Sequence, residues 1–267
     1  MLSNFHTHTT FCDGDHTAEE MVLSAINKGF CSLGFSGHGY TDFDLSYCIK
    51  DMDAYIAEIN RLKEKYKKDI QIYLGVEEDA YYPNDRSKYD YIIGSCHYAK
   101  VEDKYYAIDS GPDYFKECFK KFDNDPVKLA ENYYGYFCDY IQKRRPDIVG
   151  HFDLITKFDE LGESVFLNND AYNTVAQKFI AQAAGSGCIF EINTGAISRG
   201  VRTSPYPAQN LLQELKKHNA PIILSSDSHN KDTLDCAFDE TRRMLYDIGF
   251  REACCLYDGE FKKYPLL

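Results

Sequence analysis

No apolar run in this 267-residue sequence approaches the roughly 20 residues that a membrane-crossing helix needs, so no membrane partner is expected. No lysine and arginine stretch is long enough to build a basic face; "KEKYKK" and "QKRR" read as exposed helix ends. With a formal net charge of −12, that argues against a nucleic-acid partner. It also means that an anionic ligand must find a local positive site. The ten cysteines contain no C-x-x-C pair. Several sit in apolar runs such as "GCIF" and "EACCLY", and they read as reduced, buried thiols of a cytoplasmic protein. The chain is polar by residue 3, so no signal peptide is expected. There is no repeat, low-complexity tract or Pro/Gly/Ser-rich joint, so residues 1–267 read as one domain. One α/β barrel commonly takes about 250 residues. At 44% hydrophobic and 27% charged, the chain can bury a sizeable core. Nothing in it sets the oligomeric state.

What is present is an alternation. "MLSNF" reads as a strand. Thr17 and Glu20 then form a capping box, Met21, Val22, Ala25 and Ile26 make one helical face, and Gly29 stops the helix. "CSLGFSG" is strand two, and a helix on Met52, Tyr55, Ile56, Ile59 and Leu62 follows. "IQIYLGV" and "YDYIIGS" are strands three and four. Residues 98–145 break the rhythm and read as a helical insertion rich in Tyr, Phe, Lys and Asp. "DIVG", "CIFEIN" and "PIILSS" continue the strands, with helices around 172–184, 207–217 and 233–248 and a last strand at "EACCLY". Strands alternating with helices imply parallel βαβ units. Seven or so repeats favour a closed or nearly closed barrel over an open doubly wound sheet.

Functional groups follow these strands. His6 and His8 follow the first, His38 the second, Glu77 the third, His97 the fourth and His151 the fifth. Glu191 and Asn193 end the sixth; Asp227 and His229 follow the seventh. In parallel α/β barrels the reacting groups converge at that end. His6 and His8 are two apart and therefore share a side, as do Asp227 and His229. One histidine at a strand end is usually structural, and one carboxylate there usually caps a helix. The joint pattern instead predicts a metal site. His6, His8, Asp13, His38, Glu77, His97, His151, Asp227 and His229 make nine candidate ligands, enough for two or three ions. Imidazole and carboxylate without thiolate suit Zn, Mn or Fe.

"FHTHTTFCDG", "FSGH", "GVE", "GSCH", "GHFD" and "SSDSH" together resemble, in order, the motifs of the polymerase-and-histidinol-phosphatase (PHP) superfamily. "GHFDLITKF" and "EINTGAISRG" look most like its histidinol-phosphatase branch. The resemblance implies a distorted (β/α)7 TIM-like barrel with three metals at its mouth. His6, His8, Glu77 and Asp227 would hold one ion. Glu77, His97 and His151 would hold a second, with Glu77 bridging. His38, His229 and a residue after the first motif would hold the third. Many members carry a His there in a "CPHG"-like stretch, whereas this chain reads "CDGDH", leaving Asp13 or His16, with Asp13 favoured.

Clustered divalent ions suit phosphate-ester hydrolysis because they supply hydroxide near neutral pH and neutralise phosphoryl charge. The reading is a phosphomonoesterase that hydrolyses L-histidinol phosphate to L-histidinol and phosphate by in-line attack of a metal-bridging hydroxide, with Asp227 and His229 handling protons. Arg199, Arg202 and Lys157 are the candidate phosphate binders, Arg199 first by resemblance. Asp79, Glu191 and Tyr98 are nominated for the amine and imidazole of the substrate. The alternative is another small phosphate ester, such as a sugar phosphate or nucleotide. An amidohydrolase barrel also opens with H-x-H, but His97 on strand four and His229 after Asp227 disfavour it. A non-catalytic PHP module would be expected to have lost ligands.

Overall fold

Thr17 and Glu20 cap each other as the sequence predicts. The Thr17 hydroxyl accepts from Glu20 N at 3.3 Å, and Glu20 Oε2 accepts from Thr17 N at 2.9 Å. The computed structural model describes residues 1–162 and 164–267. Helix α1 (Ala18–Asn27) buries Met21, Val22 and Ala25, and α2 (Met52–Tyr66) buries Tyr55, Ile59 and Leu62. Both faces pack into one cluster with Leu33, Phe35, Ile72 and Leu74 of the neighbouring strands. Each large apolar side chain so buried contributes about 1.5–3 kcal/mol.

The strands β1 (Ser3–Asn4), β2 (Ser32–Phe35), β3 (Gln71–Asp79) and β4 (Tyr91–Ser95) pair in parallel. β5 (Tyr98–Val101) and β6 (Lys104–Ala107) form a separate antiparallel hairpin. Helices α3 (Pro112–Lys120) and α4 (Pro126–Arg144) follow. The parallel run resumes with β7 (Ile148–Val149), β8 (Ile189–Asn193) and β9 (Ile222–Ser225). α5 (Asp170–Ala184) precedes β8; α6 (Gly195–Ser198) and α7 (Gln209–Lys217) lie between β8 and β9. After β9 come α8 (Phe238–Ile248), β10 (Glu252–Tyr257), which is parallel to β9, and β11 (Glu260–Pro265), which is antiparallel to β10. The result is a mostly parallel nine-stranded sheet, β1-β2-β3-β4-β7-β8-β9-β10-β11. The ends of β1 and β9 also meet: His8 N donates to Ser228 O at 2.9 Å, and Ser228 N to His6 O at 3.1 Å. No described helix is long and apolar enough to cross a membrane.

Two expectations change. Residues 98–145 are not purely helical, since they open with the β5–β6 hairpin. A strand, β11, follows the one expected at "EACCLY". The ten cysteines are free, seven of them buried.

The alternation of β3 sorts three consecutive carboxylates. Glu77 and Asp79 share one side, and Glu78 takes the other. Glu78 accepts from Tyr140 Oη at 2.5 Å and from Arg144 Nε at 2.7 Å, tying α4 to the sheet. Asn84 N and Arg144 Nη2 complete its other oxygen at 2.8 and 2.9 Å. Its side chain is fully buried. Arg144→Met leaves that carboxylate without its counter-charge and is expected to lower stability by about 3 kcal/mol. In urea titration the midpoint should fall with little change in slope; an unchanged midpoint would mean that Tyr140 and Asn84 suffice.

Candidate metal centre

Glu77 is the centre of the site. Its Oε1 lies 3.0 Å from His151 Nε2 and 3.3 Å from His97 Nε2. Its Oε2 lies 2.9 Å from His38 Nδ1, 3.2 Å from His6 Nε2 and 3.6 Å from His8 Nε2. Five imidazoles from four different strand ends thus converge on one carboxylate, itself buried. Asp227 Oδ1 adds contacts at 3.3 Å to His8 Nε2 and 3.7 Å to His6 Nε2. Its backbone is left-handed at φ 47°, a conformation that Asp tolerates better than most residues. Asp13 Oδ2 lies 3.3 Å from His229 Nε2 and 3.5 Å from His38 Nε2. His229 stacks on His8 at 4.1 Å between ring centroids.

The donor set fits divalent cations on two counts. Four groups have ligand atoms within 4.8 Å of one another: His8–Asp13–His38–His229, His6–His8–Asp227, His6–Glu77–His151 and His38–Glu77–His97. Meanwhile His6 Nε2, His8 Nε2, His38 Nδ1 and Glu77 Oε2 are buried without a hydrogen-bond partner. Glu77 Oε2 and His38 Nδ1 are close enough to bond but too poorly aligned. Buried polar atoms are rarely left so; several in one cluster mark a place for a cation.

The electrostatics agree. Burial would lower His6, but Glu191, Glu77 and Asp227 outweigh it and hold its pKa well above the ordinary value. Burial opposes the rise of His38 too, which Asp13 and Glu77 impose. His97 is pushed up to about 10 against its burial, chiefly by Glu77 and by a bond to Asp79. His8 falls to about 3 through burial and the neighbouring His229 and His38. Burial would raise Glu77, yet His6, His97 and His38 hold it well below the carboxylate range. The carboxylates therefore demand positive charge between them, which protons meet when no ion does.

The PHP domain model matches residues 4–195. The chain belongs to the PHP domain family. Among curated proteins, this PHP chain is 29% identical over 277 residues to a Schizosaccharomyces pombe protein named "Probable histidinol-phosphatase", covering 95% of this chain and 89% of that one. It is 22% identical to the histidinol-phosphatase of Bacillus subtilis, covering 88% and 96%. Its fold matches the histidinol phosphate phosphatase of Lactococcus lactis subsp. lactis, solved with zinc, L-histidinol and phosphate, at a TM-score of 0.74 and 19% identity, covering 97% of this chain and 98% of that one.

All nine expected ligands of the PHP chain thus fall in one place, in slightly different groups from those the resemblance implies. His8 joins Asp13, His38 and His229, and Glu77 reaches both sides. His16 lies outside every ligand group among the described residues, whereas Asp13 lies in the group of His8, His38 and His229. The three cations separate. Arg199 Nη2 donates to Asp227 Oδ2 at 3.0 Å, Nη1 donates to Asp227 O at 3.0 Å, and the side chain borders the cavity beside the cluster. A Cβ on Gly195 would come 2.8 Å from Arg199 Nη2 and 2.9 Å from Asp227 Cβ, so only glycine permits this approach. Arg202 corrects the expectation. It is buried on Thr156 Oγ1 at 2.8 Å, Asp153 at 3.8 Å and the Tyr206 ring at 4.3 Å, away from the cavity. Lys157 borders the cavity, but its Nζ donates to Asp109 O at 2.9 Å.

Asp79 and Glu191 also differ from the role expected. Asp79 Oδ2 accepts from His97 N at 3.1 Å and meets its Nδ1 at 3.2 Å. Glu191 Oε1 meets His6 Nδ1 at 2.6 Å, and its Oε2 accepts from His151 N at 2.8 Å. Both orient imidazoles from behind, as carboxylates do for metal-ligating histidines. Tyr98 does border the cavity.

Proposed function

We propose that this PHP protein hydrolyses L-histidinol phosphate to L-histidinol and inorganic phosphate. The observation that carries the reading is the convergence of five histidines on Glu77, with Arg199 beside them at a cavity of about 310 Å³. The histidinol-phosphatase names of relatives spanning nearly the whole chain support it. We read the sheet as the distorted (β/α)7 barrel that the resemblance implies, supported by the two hydrogen bonds between the ends of β1 and β9.

His6, His8 and Asp227, Glu77 with His97 and His151, and Asp13 with His38 and His229 would hold two or three divalent ions. Imidazole and carboxylate donors suit zinc, manganese or iron. Such ions, when bound, acidify water near neutral pH and neutralise charge on phosphoryl oxygens. The chain's own residues supply the rest. Asp79 and Glu191 fix the imidazole orientations. Arg199 holds Asp227 ionised: burial would raise that carboxyl, but Arg199 and His6 keep it well below the usual range. Asp227 thus starts as a proton acceptor. Arg199, with a second face on the cavity, offers fork-shaped donors to phosphate oxygens. The leaving alkoxide needs a proton, and His229, partly exposed at the cavity edge, is the group we assign to it when its Nε2 holds a proton in place of an ion.

The test is phosphate release with Zn or Mn added, from L-histidinol phosphate and from a panel of sugar phosphates, nucleotides and p-nitrophenyl phosphate. L-Histidinol phosphate is expected to lead in kcat/KM by at least about tenfold, the scale of one substrate-specific contact. Equal or better turnover of another ester would leave a phosphoesterase and remove the substrate assignment.

A further inference from the structure

The cavity is lined by two chemically unlike sets of residues. One is the histidines, the carboxylates around them and Arg199. The other includes Tyr47, Tyr98, Leu154, Lys157 and Asp109, none of which the metal site uses. This second set is built rather than incidental. Ile108 N donates to His97 O at 3.0 Å, which fixes the backbone of the next residue, Asp109, beside a histidine of the cluster. Lys157 Nζ then donates to Asp109 O at 2.9 Å and to its Oδ2 at 3.3 Å. No hydrogen bond among the described residues reaches Oδ1. Burial would raise the Asp109 carboxyl, but Lys157, His97 and His151 outweigh it and hold it below its usual value.

Aromatic rings stand beside this carboxylate. The Tyr47 ring lies 4.7 Å from His38 and 6.5 Å from Tyr98. Tyr98 is held from behind, its hydroxyl donating to Asp44 Oδ2 at 2.8 Å and its ring packing on Phe43 at 5.0 Å. The Tyr47 hydroxyl is buried and has no hydrogen-bond partner. Lys157, by contrast, is engaged with Asp109 and is not a free phosphate binder.

We propose that Asp109 is the specificity carboxylate of this enzyme, receiving the ammonium of an amino-alcohol phosphate while Tyr47 and Tyr98 flank its heteroaromatic ring. The proposal rests on the histidinol phosphate reading and goes further by assigning the organic half of the substrate to named residues. The substrate carries a phosphate at one end and a cation with an aromatic ring at the other. The cavity lining offers the matching chemistry: the candidate ion ligands and Arg199 for the phosphate, an anion with aromatic faces for the rest. A carboxylate–ammonium bond of this kind is charge-assisted and short, and tyrosine faces favour cations and flat rings. Sugar phosphates and nucleotides have no ammonium to offer Asp109, so this set would select against them.

The experiment is calorimetric binding of L-histidinol and of its des-amino analogue, 3-(imidazol-4-yl)propan-1-ol, to the metal-loaded protein and to Asp109→Asn. L-Histidinol phosphate hydrolysis is measured alongside. The unsubstituted protein is expected to bind L-histidinol at least about tenfold more tightly than the analogue, the lower range for a charged hydrogen bond. Asp109→Asn should erase that preference. Equal affinity of the unsubstituted protein for the two alcohols would overturn the proposal without recourse to any variant. So would an Asp109→Asn protein that still prefers the amine, with hydrolysis of L-histidinol phosphate intact; the substrate assignment would then stand without this subsite. An unsubstituted protein that neither binds L-histidinol nor hydrolyses its phosphate would remove both readings together.

Discussion

Glu77→Gln is expected to cost at least about three decades in kcat/KM and to lose most of the bound metal. The reason is geometric. Glu77 sets both its oxygens among five imidazoles from four strand ends, at 2.9 to 3.6 Å. A glutamine has nearly the same shape but replaces one anionic oxygen by an NH2 group that only donates. That group would face either lone-pair nitrogens or a cation, and it can serve only the first. The formal negative charge that holds ions together is lost at the same time. Charge stabilisation by such ions is worth several kcal/mol, and each 1.36 kcal/mol is a decade in rate. Metal content measured by elemental analysis after gel filtration should fall in step with kcat/KM. A Glu77→Gln protein that keeps its full metal complement and loses less than tenfold in activity would show that Glu77 is not the bridging ligand.

The same residue illustrates how much of the molecule is legible in the sequence. Parallel βαβ order puts the strand ends together, and a period of two decides which side chains share a face. From these two rules alone Glu77, His97 and His151 belong to one site, although they are far apart in the chain. The capping box of Thr17 and Glu20 is equally local and equally readable. The β5–β6 hairpin is not. It turns at "VEDK", where Glu102 takes a positive φ of 55°, and the usual Asn-Gly or Asp-Gly signal is absent. Its tyrosines and lysines match a helix as well as a strand. Arg199 and Arg202 cannot be separated by position, because both follow the sixth strand. Only burial tells them apart, since the side chain of Arg202 is fully enclosed by Thr156, Asp153 and Tyr206. Asp79 and Glu191 are visible as strand-end carboxylates. What no pattern reveals is that each sits behind a histidine rather than in the cavity. Asp109 gives no signal at all, because its place depends on one backbone bond to His97 and one long-range contact with Lys157.

Stripping the ions with a chelator is expected to lower the melting temperature by about 10 °C, and the difference should grow as pH rises from about 6.5 towards 10. The size follows from mass action. An ion at a thousand times its Kd adds about 4 kcal/mol to the folded state, and a domain of roughly this size shifts by about 2–4 °C per kcal/mol. The sign of the pH dependence follows from the imidazoles. Without ions, the carboxylates raise His6, His38 and His97, the last to about 10. A raised histidine stabilises the folded chain fully below its unfolded value of about 6.5. That contribution is lost as pH rises through the folded value. The stripped protein therefore weakens across this window. Ion binding runs the other way, because these imidazoles must lose their protons to become ligands. His8, at about 3, is already neutral and adds nothing to the slope. Melting curves with and without chelator at pH 6.5, 8 and 9.5 measure the effect, and proton release on ion addition at pH 8 checks its origin. A chelator effect that is flat or shrinking with pH would mean that the ions do not displace protons from these histidines.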